Sequence, residues 1–212
     1  MKFKFIIFIV ITLFTVFSCI KHEIIPAPTP TVTLTSKFSG IVNGIPVELN
    51  EGVAGYSCVP TQDKNLLTSP NLSSAIFYAE MFSTSEKKAF RIGLGKAYWD
   101  ASSSNEPSLD IFKDFFTKPS NVLPGYKDDC SLGFNVRYTD ANGTIYTSRD
   151  TSSQFQNVKF SNISQESDAS GDYSKFVCTF NCYVYYASGP NPPVGLDSVK
   201  IQNGQLKGWF KK

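Results

Sequence analysis

The sequence predicts an all-β domain, an antiparallel β-sandwich of about 8–10 strands with one short helix. Three observations carry this. Apolar residues alternate with polar ones over many short segments, the period-two pattern of strands. Turn-forming pairs such as Asn43-Gly44, Asn142-Gly143 and Asn203-Gly204 punctuate those segments. Residues 36–212 form one stretch without a repeat, long enough for a single core.

The elements follow in order. Lys37–Val42 and Ile45–Leu49 flank Asn43-Gly44, a pair suited to the two positive-φ positions of a type I′ turn. Ser74–Phe82 and Lys88–Lys96 form a second pair across residues 83–87. Glu106-Pro107-Ser108 opens the helix, about 107–117, with Pro in its first turn. Leu109, Phe112 and Phe116 then share a face beside Phe115, and Lys118-Pro119 stops it. That stripe reads as a plug for one end of the domain. Ser131–Thr139 and Thr144–Ser148 turn around Asp140–Gly143. Phe155–Ile163 and Tyr173–Ala187 flank a polar loop, Ser164–Asp172. A last hairpin joins Ser198–Gln202 to Gln205–Lys211 at Asn203-Gly204. Alternation places Phe176, Cys178, Phe180, Cys182 and Val184 on one core face, and Cys130, Leu132, Phe134, Val136 and Tyr138 on another.

Ahead of the domain stands a secretory leader. Lys2 and Lys4 form a basic start, and Phe5–Phe17 is apolar, too short for a membrane span of about 20 residues. Residues 1–18 are therefore read as a signal peptide. Cys19 follows Val16-Phe17-Ser18, which resembles a bacterial lipobox: branched aliphatic, any residue, small residue, cysteine. The resemblance implies a diacylglycerol thioether on Cys19 and a further acyl chain, palmitate for example, on its freed amine. Stable anchoring takes more than one chain, a condition that two or three would meet. Residues 19–35 carry Pro26, Pro28 and Pro30 and read as a tether. Ile20 rather than Asp after the cysteine points to the outer membrane, on either its periplasmic or its outward face.

Composition then excludes several functions. Twenty Lys and Arg oppose 18 Asp and Glu, and two of the lysines lie in the leader. A neutral mature chain lacks the charge of a nucleic-acid binder. The single histidine, His22, lies in the tether, so the domain can build neither a Ser-His-Asp triad nor a His-ligated metal site. No metal site and no cofactor beyond the lipid is expected. Asp140–Gly143 and Asp168–Asp172 are oxygen-rich, yet lack a full calcium-ligand series and are explained as turns.

Four cysteines remain in the domain: Cys58, Cys130, Cys178 and Cys182. An oxidising envelope opens them to disulfides. Cys178 and Cys182 are four residues apart on one strand, about 13 Å by strand rise, so they do not bond each other. Each would need Cys58 or Cys130, or stay a buried thiol.

The aromatics are the remaining signal. Trp99, Trp209, Tyr98 and Tyr185 are candidate ligand-binding residues, because an exposed ring can stack on a sugar. Phe38-Ser39-Gly40-Ile41-Val42-Asn43-Gly44, following a lipobox and tether, resembles the first hairpin of small Bacteroidota cell-envelope lipoproteins. Asp197–Gly204 through Gly208-Trp209-Phe210 resembles their C-terminal hairpin. That resemblance implies location and carries no catalytic or binding residues. The expectation is a membrane-anchored, non-enzymatic binding or structural protein of the envelope. A glycan or an envelope protein is its partner, and a carboxylate-dependent hydrolase is the rival from another class.

Overall fold

The computed structural model describes residues 31–117, 126, 133–150, 155–190, 195 and 197–212. The expected signal peptide, Cys19, most of the tether, Cys130 and the Lys118-Pro119 stop lie outside them. The described residues form ten strands and one helix: β1 Lys37–Val42, β2 Ile45–Asn50, β3 Tyr56–Asn65, β4 Ser73–Ser83, β5 Ala89–Trp99, α1 Leu109–Thr117, β6 Phe134–Thr139, β7 Ile145–Ser148, β8 Asn157–Asp168, β9 Gly171–Ser188 and β10 Ser198–Lys211.

All named strand pairs are antiparallel, in the order β2-β1-β10-β9-β7-β6-β5-β4-β3, with β8 also on β9. The all-β expectation holds. The two facing halves are parts of one continuous sheet that curls into a half-barrel. Phe38 of β1 stacks on Phe90 of β5 with centroids 3.6 Å apart, although these strands are not sheet neighbours. At the other seam β10 crosses β3 and β4. A Cβ at Gly208 would lie 3.6 Å from Cys58 Sγ and 3.9 Å from the Ala79 methyl. Small residues on three strands set this close approach, because a larger side chain on any one would fill the gap.

The ten strands are not the ten expected. Tyr56–Asn65 was not anticipated: Pro60 interrupts it, and its second half, TQDKN, lacks apolar alternation. It pairs only with β4 and forms an edge, where a strand tolerates proline. β2, at the opposite end of the path, carries Pro46. A proline on each of these edges discourages pairing with another chain.

The expected last hairpin is instead one strand. β10 runs through Asn203-Gly204 as a bulge: Ile201 faces Cys182 and Gly204 faces Phe180, so Gln202 and Asn203 together oppose Asn181. Asn203 takes φ 51°, and its N–H donates to Asn181 Oδ1 at 2.7 Å. Gly204 is required beside it, since a Cβ there would sit 2.8 Å from the Phe180 ring. An Asn-Gly pair thus marks positive φ, which a bulge uses as readily as a turn. The Asn43-Gly44 turn does form as expected, with φ 48° and 81°.

The loop expected over Ser164–Asp172 is likewise mostly strand. β8 continues to Asp168, and a second bulge at Asn162-Ile163 opposite Phe176 carries the extra residue. Only Ala169 and Ser170 turn.

Helix α1 begins two residues later than expected. Ser108 is its N-cap, its Oγ accepting the Ile111 N–H at 3.2 Å, and Pro107 precedes the cap. Phe112 and Phe116 are buried, as their spacing required, while Leu109 and Phe115 pack at the rim. Phe116 stacks on Phe210 of β10 at 4.7 Å and meets Phe77 of β4 at 5.2 Å. The helix therefore plugs one end of the curl. Phe176, Cys178, Phe180, Cys182 and Val184 all face the core, as do Phe134, Val136 and Tyr138.

Candidate functional site

The candidate aromatics do not gather into one platform. Trp99 ends β5 and is 4% exposed, with its Nε1–H donating to the Ser104 carbonyl at 3.1 Å. Trp209 lies on β10 and is 6% exposed. Both indoles are thus packed into the domain rather than presented as open faces. Tyr98 keeps 44% exposure beside Trp99. Tyr185 lies at the far end of β9, opposite Ser198, with the Arg149 guanidinium 4.7 Å above its ring. Tyr98 and Trp99, neighbours on β5, turn to opposite faces and line different clefts, and Trp209 and Tyr185 lie elsewhere.

The cysteines need a correction. Cys58, Cys178 and Cys182 are free, buried thiols, so the disulfide expectation does not hold for the described cysteines. Cys130 lies outside the described residues. Burial pushes the Cys58 thiol up to about 12, the largest cause being its removal from water. Burial raises Cys178 and Cys182 as well. Such thiols are neutral and unreactive at ordinary pH.

The two oxygen-rich loops are turns. Asp140 accepts the Asn142 and Thr144 N–H groups on one oxygen, at 2.8 and 2.9 Å. Asp168 accepts the Ser170 N–H at 2.7 Å and, on its other oxygen, the Val32 N–H at 2.8 Å. The hydrogen bond from Ser170 above all, with those from the Val32 and Ser170 N–H groups, holds its carboxyl below the usual range. The second bond makes Asp168 the point where the incoming chain docks on the domain. Leu34 then packs against the core, and Ser36 donates its N–H to Glu51 at 2.7 Å.

What the structure does gather is a group of clefts around the loop 100–108, between β5 and α1. One of about 400 Å³ lies among Trp99, Asp100, Glu106, Ser108, Ile111 and Lys212. Across Ile111 a second, of about 300 Å³, is lined by Lys96, Tyr98, Asp114 and Phe115. A third, of about 290 Å³, sits between Leu66-Leu67 and the Ala101–Asn105 stretch. Glu106 reaches Lys64 of β3 through one carboxylate oxygen, tying this loop to the sheet edge. The site thus offers carboxylates, hydroxyls, two lysines and one exposed phenol ring on a shallow surface. Those groups can hydrogen-bond and stack on a polar ligand.

Sequence reasoning placed Tyr98 and Trp99 here but missed Leu66, Leu67, Leu72, Glu106 and Lys212. The adjacent Leu66-Leu67, set in polar residues just before Thr68-Ser69-Pro70, was the one available signal, since a turn seldom needs two leucines. Lys212 reaches this cleft only because β10 is one long strand. Among the described residues no helix is long and apolar enough to cross a membrane. No protein family, curated protein or solved structure matches this chain.

Proposed function

We propose that this chain is a lipid-anchored outer-membrane protein with a non-catalytic binding role, its half-barrel held to the bilayer through Cys19. The observation that carries the reading is Cys19 itself, one residue beyond a small residue at the end of a 13-residue apolar run. The docking of Val32 on Asp168 supports it, because the domain receives its incoming chain at one defined corner. Fractionation of the full chain tests it: the protein should travel with outer membranes and resist salt extraction. Cys19→Ala should release it or strand it uncleaved. A Cys19→Ala variant that stays with outer membranes would count against the anchor.

The clefts around residues 100–108 are the proposed ligand surface, and a glycan is the ligand class that their hydroxyls, carboxylates and Tyr98 ring suit. Trp99 reports on it, since its indole N–H is bonded to Ser104 in that loop. Titration of the detergent-solubilised full chain with envelope and dietary polysaccharides should shift tryptophan emission saturably. Trp99→Phe should remove the shift, and Tyr98→Ala should weaken binding. Release of reducing ends during the titration would instead favour a carboxylate hydrolase acting through Asp100 and Glu106.

A further inference from the structure

Four of the large apolar side chains that the domain leaves in water sit at one corner. Leu66 is 46% exposed, Leu67 43%, Leu72 53% and Tyr98 44%. The three leucines belong to the connection between β3 and β4, and Tyr98 faces Ser74 across β4 and β5. Lys96 flanks them, and Lys64, ion-paired with Glu106, precedes Leu66 by two residues; the stems of such long side chains cover apolar surface. An apolar loop tip with a tyrosine and lysines at its margin has the composition of a segment that settles at a bilayer surface.

The position of the incoming chain selects that partner. Val32 is fixed to Asp168 at the turn between β8 and β9. On the other side of that turn, Asp172 accepts the Lys212 N–H at 3.0 Å, and Lys212 lines the cleft shared with Trp99 and Asp100. The next cleft round is lined by Leu66 and Leu67. The docked chain and the apolar tip therefore occupy the same end of the half-barrel. Cys19 lies 13 residues before Val32, a span of at most about 45 Å. A lipid on Cys19 holds this end within that distance of the bilayer, where the effective local concentration lets even a weak apolar contact form.

We infer that the Leu66, Leu67 and Leu72 tip rests on the bilayer that holds the Cys19 lipid and sets the orientation of the domain above it. This rests on the anchoring reading. It leaves the opposite end, with the 67% exposed Ile45, facing away from the membrane.

The test uses the full-length lipidated protein in pure-lipid vesicles containing doxyl-labelled phospholipid. An environment-sensitive fluorophore is placed by Leu67→Cys or, as the matched control, by Ile45→Cys. The described native cysteines are buried, and labelling of the unsubstituted protein measures background. Flotation reads the anchor separately. The expected result is co-flotation of both proteins, with blue-shifted emission and at least three-fold stronger quenching at position 67 than at 45. Leu66→Glu combined with Leu72→Glu should remove that difference without preventing flotation. Floating protein with equal, water-like emission at both positions would overturn this inference and leave the anchor standing. Failure to float would overturn both. A shift at position 67 in native membranes but not in pure-lipid vesicles would assign the tip to a protein partner and overturn the lipid contact.

Discussion

Tyr126 sets its phenolic oxygen 2.9 Å from the carbonyl oxygen of Asn181, and the same oxygen lies 2.9 Å from the carbonyl of Asn157. Asn157 and Asn181 are the last residues of β8 and β9 to pair before β9 leaves β8 and runs on, still beside β10, to meet β7. The sheet forks there, and one buried hydroxyl serves the two carbonyls at the fork. Its ring meets Phe134 edge-on at 5.3 Å, closing the gap between β6 and β8. Tyr126→Phe keeps the ring and removes the only donor this side chain has. The expected cost is about 1–3 kcal/mol, for a buried acceptor left unpaired. Urea denaturation of the two proteins measures it.

The same residue predicts alkaline behaviour. Burial first, with Cys182 and Cys178 nearby, raises the Tyr126 phenol, and burial pushes Tyr138 up to about 12. A phenol raised in the folded state stabilises that state fully below its ordinary value of 10.0. The contribution is lost as pH rises through the folded value. Stability should therefore fall steeply above pH 10, and less steeply in Tyr126→Phe, by circular dichroism against pH.

Gly204→Ala tests the bulge in β10. The added methyl meets the Phe180 ring at 2.8 Å, and Phe180 is itself locked in the core. Overpacking of this kind costs about 1–3 kcal/mol. A melting temperature unchanged from that of the parent protein would refute the bulge.

Phe116→Ala should unseat α1. Its ring touches Phe77, Phe112, Phe115 and Phe210, so truncation opens a cavity shared by two strands and the helix. The expected loss is about 3–5 kcal/mol. Hydrogen exchange should accelerate over residues 109–117 before it does over β9.

The thiols give a reactivity test. Cys58, Cys178 and Cys182 should resist a water-soluble thiol reagent at pH 8 in the folded protein and react together once it unfolds. Mass spectrometry of labelled peptides counts them. Rapid native labelling of any of the three would contradict their burial.

Asp168 predicts acid release of the docked chain. Hydrogen bonds led by Ser170, with Val32 among them, hold its carboxyl below the ordinary 3.8. Its contribution is present above that pH and is lost as pH falls through the depressed folded value. Exchange at Val32 should rise on acidification through that window. Asp168→Asn should show the faster exchange already at neutral pH.

Much of the fold was legible because the core alternates strictly. Phe176 through Val184 announced both a strand and the face it buries, and Phe112 with Phe116 announced the helix and its role as a plug. Tyr56–Asn65 was not legible, since an edge strand owes its pairing to β4 rather than to its own pattern. Asn203-Gly204 was misread because positive φ is shared by two different structures, and only the neighbours on both sides of β10 choose the bulge. The site was half legible: Tyr98 and Trp99 stand out as residues, but Lys212, Glu106 and the leucines reach them from distant parts of the chain.

The strand-rich class, the core faces and the described helix are each a pattern over a few consecutive residues, and the chain alone specifies them. Tertiary structure decided the rest. It curled one sheet on itself at Gly208, buried both tryptophans, kept the three described thiols free, and set the Leu66-Leu67 tip at the same end as the docked chain. Those outcomes depend on which strands meet, and strand pairing joins residues that no local pattern connects.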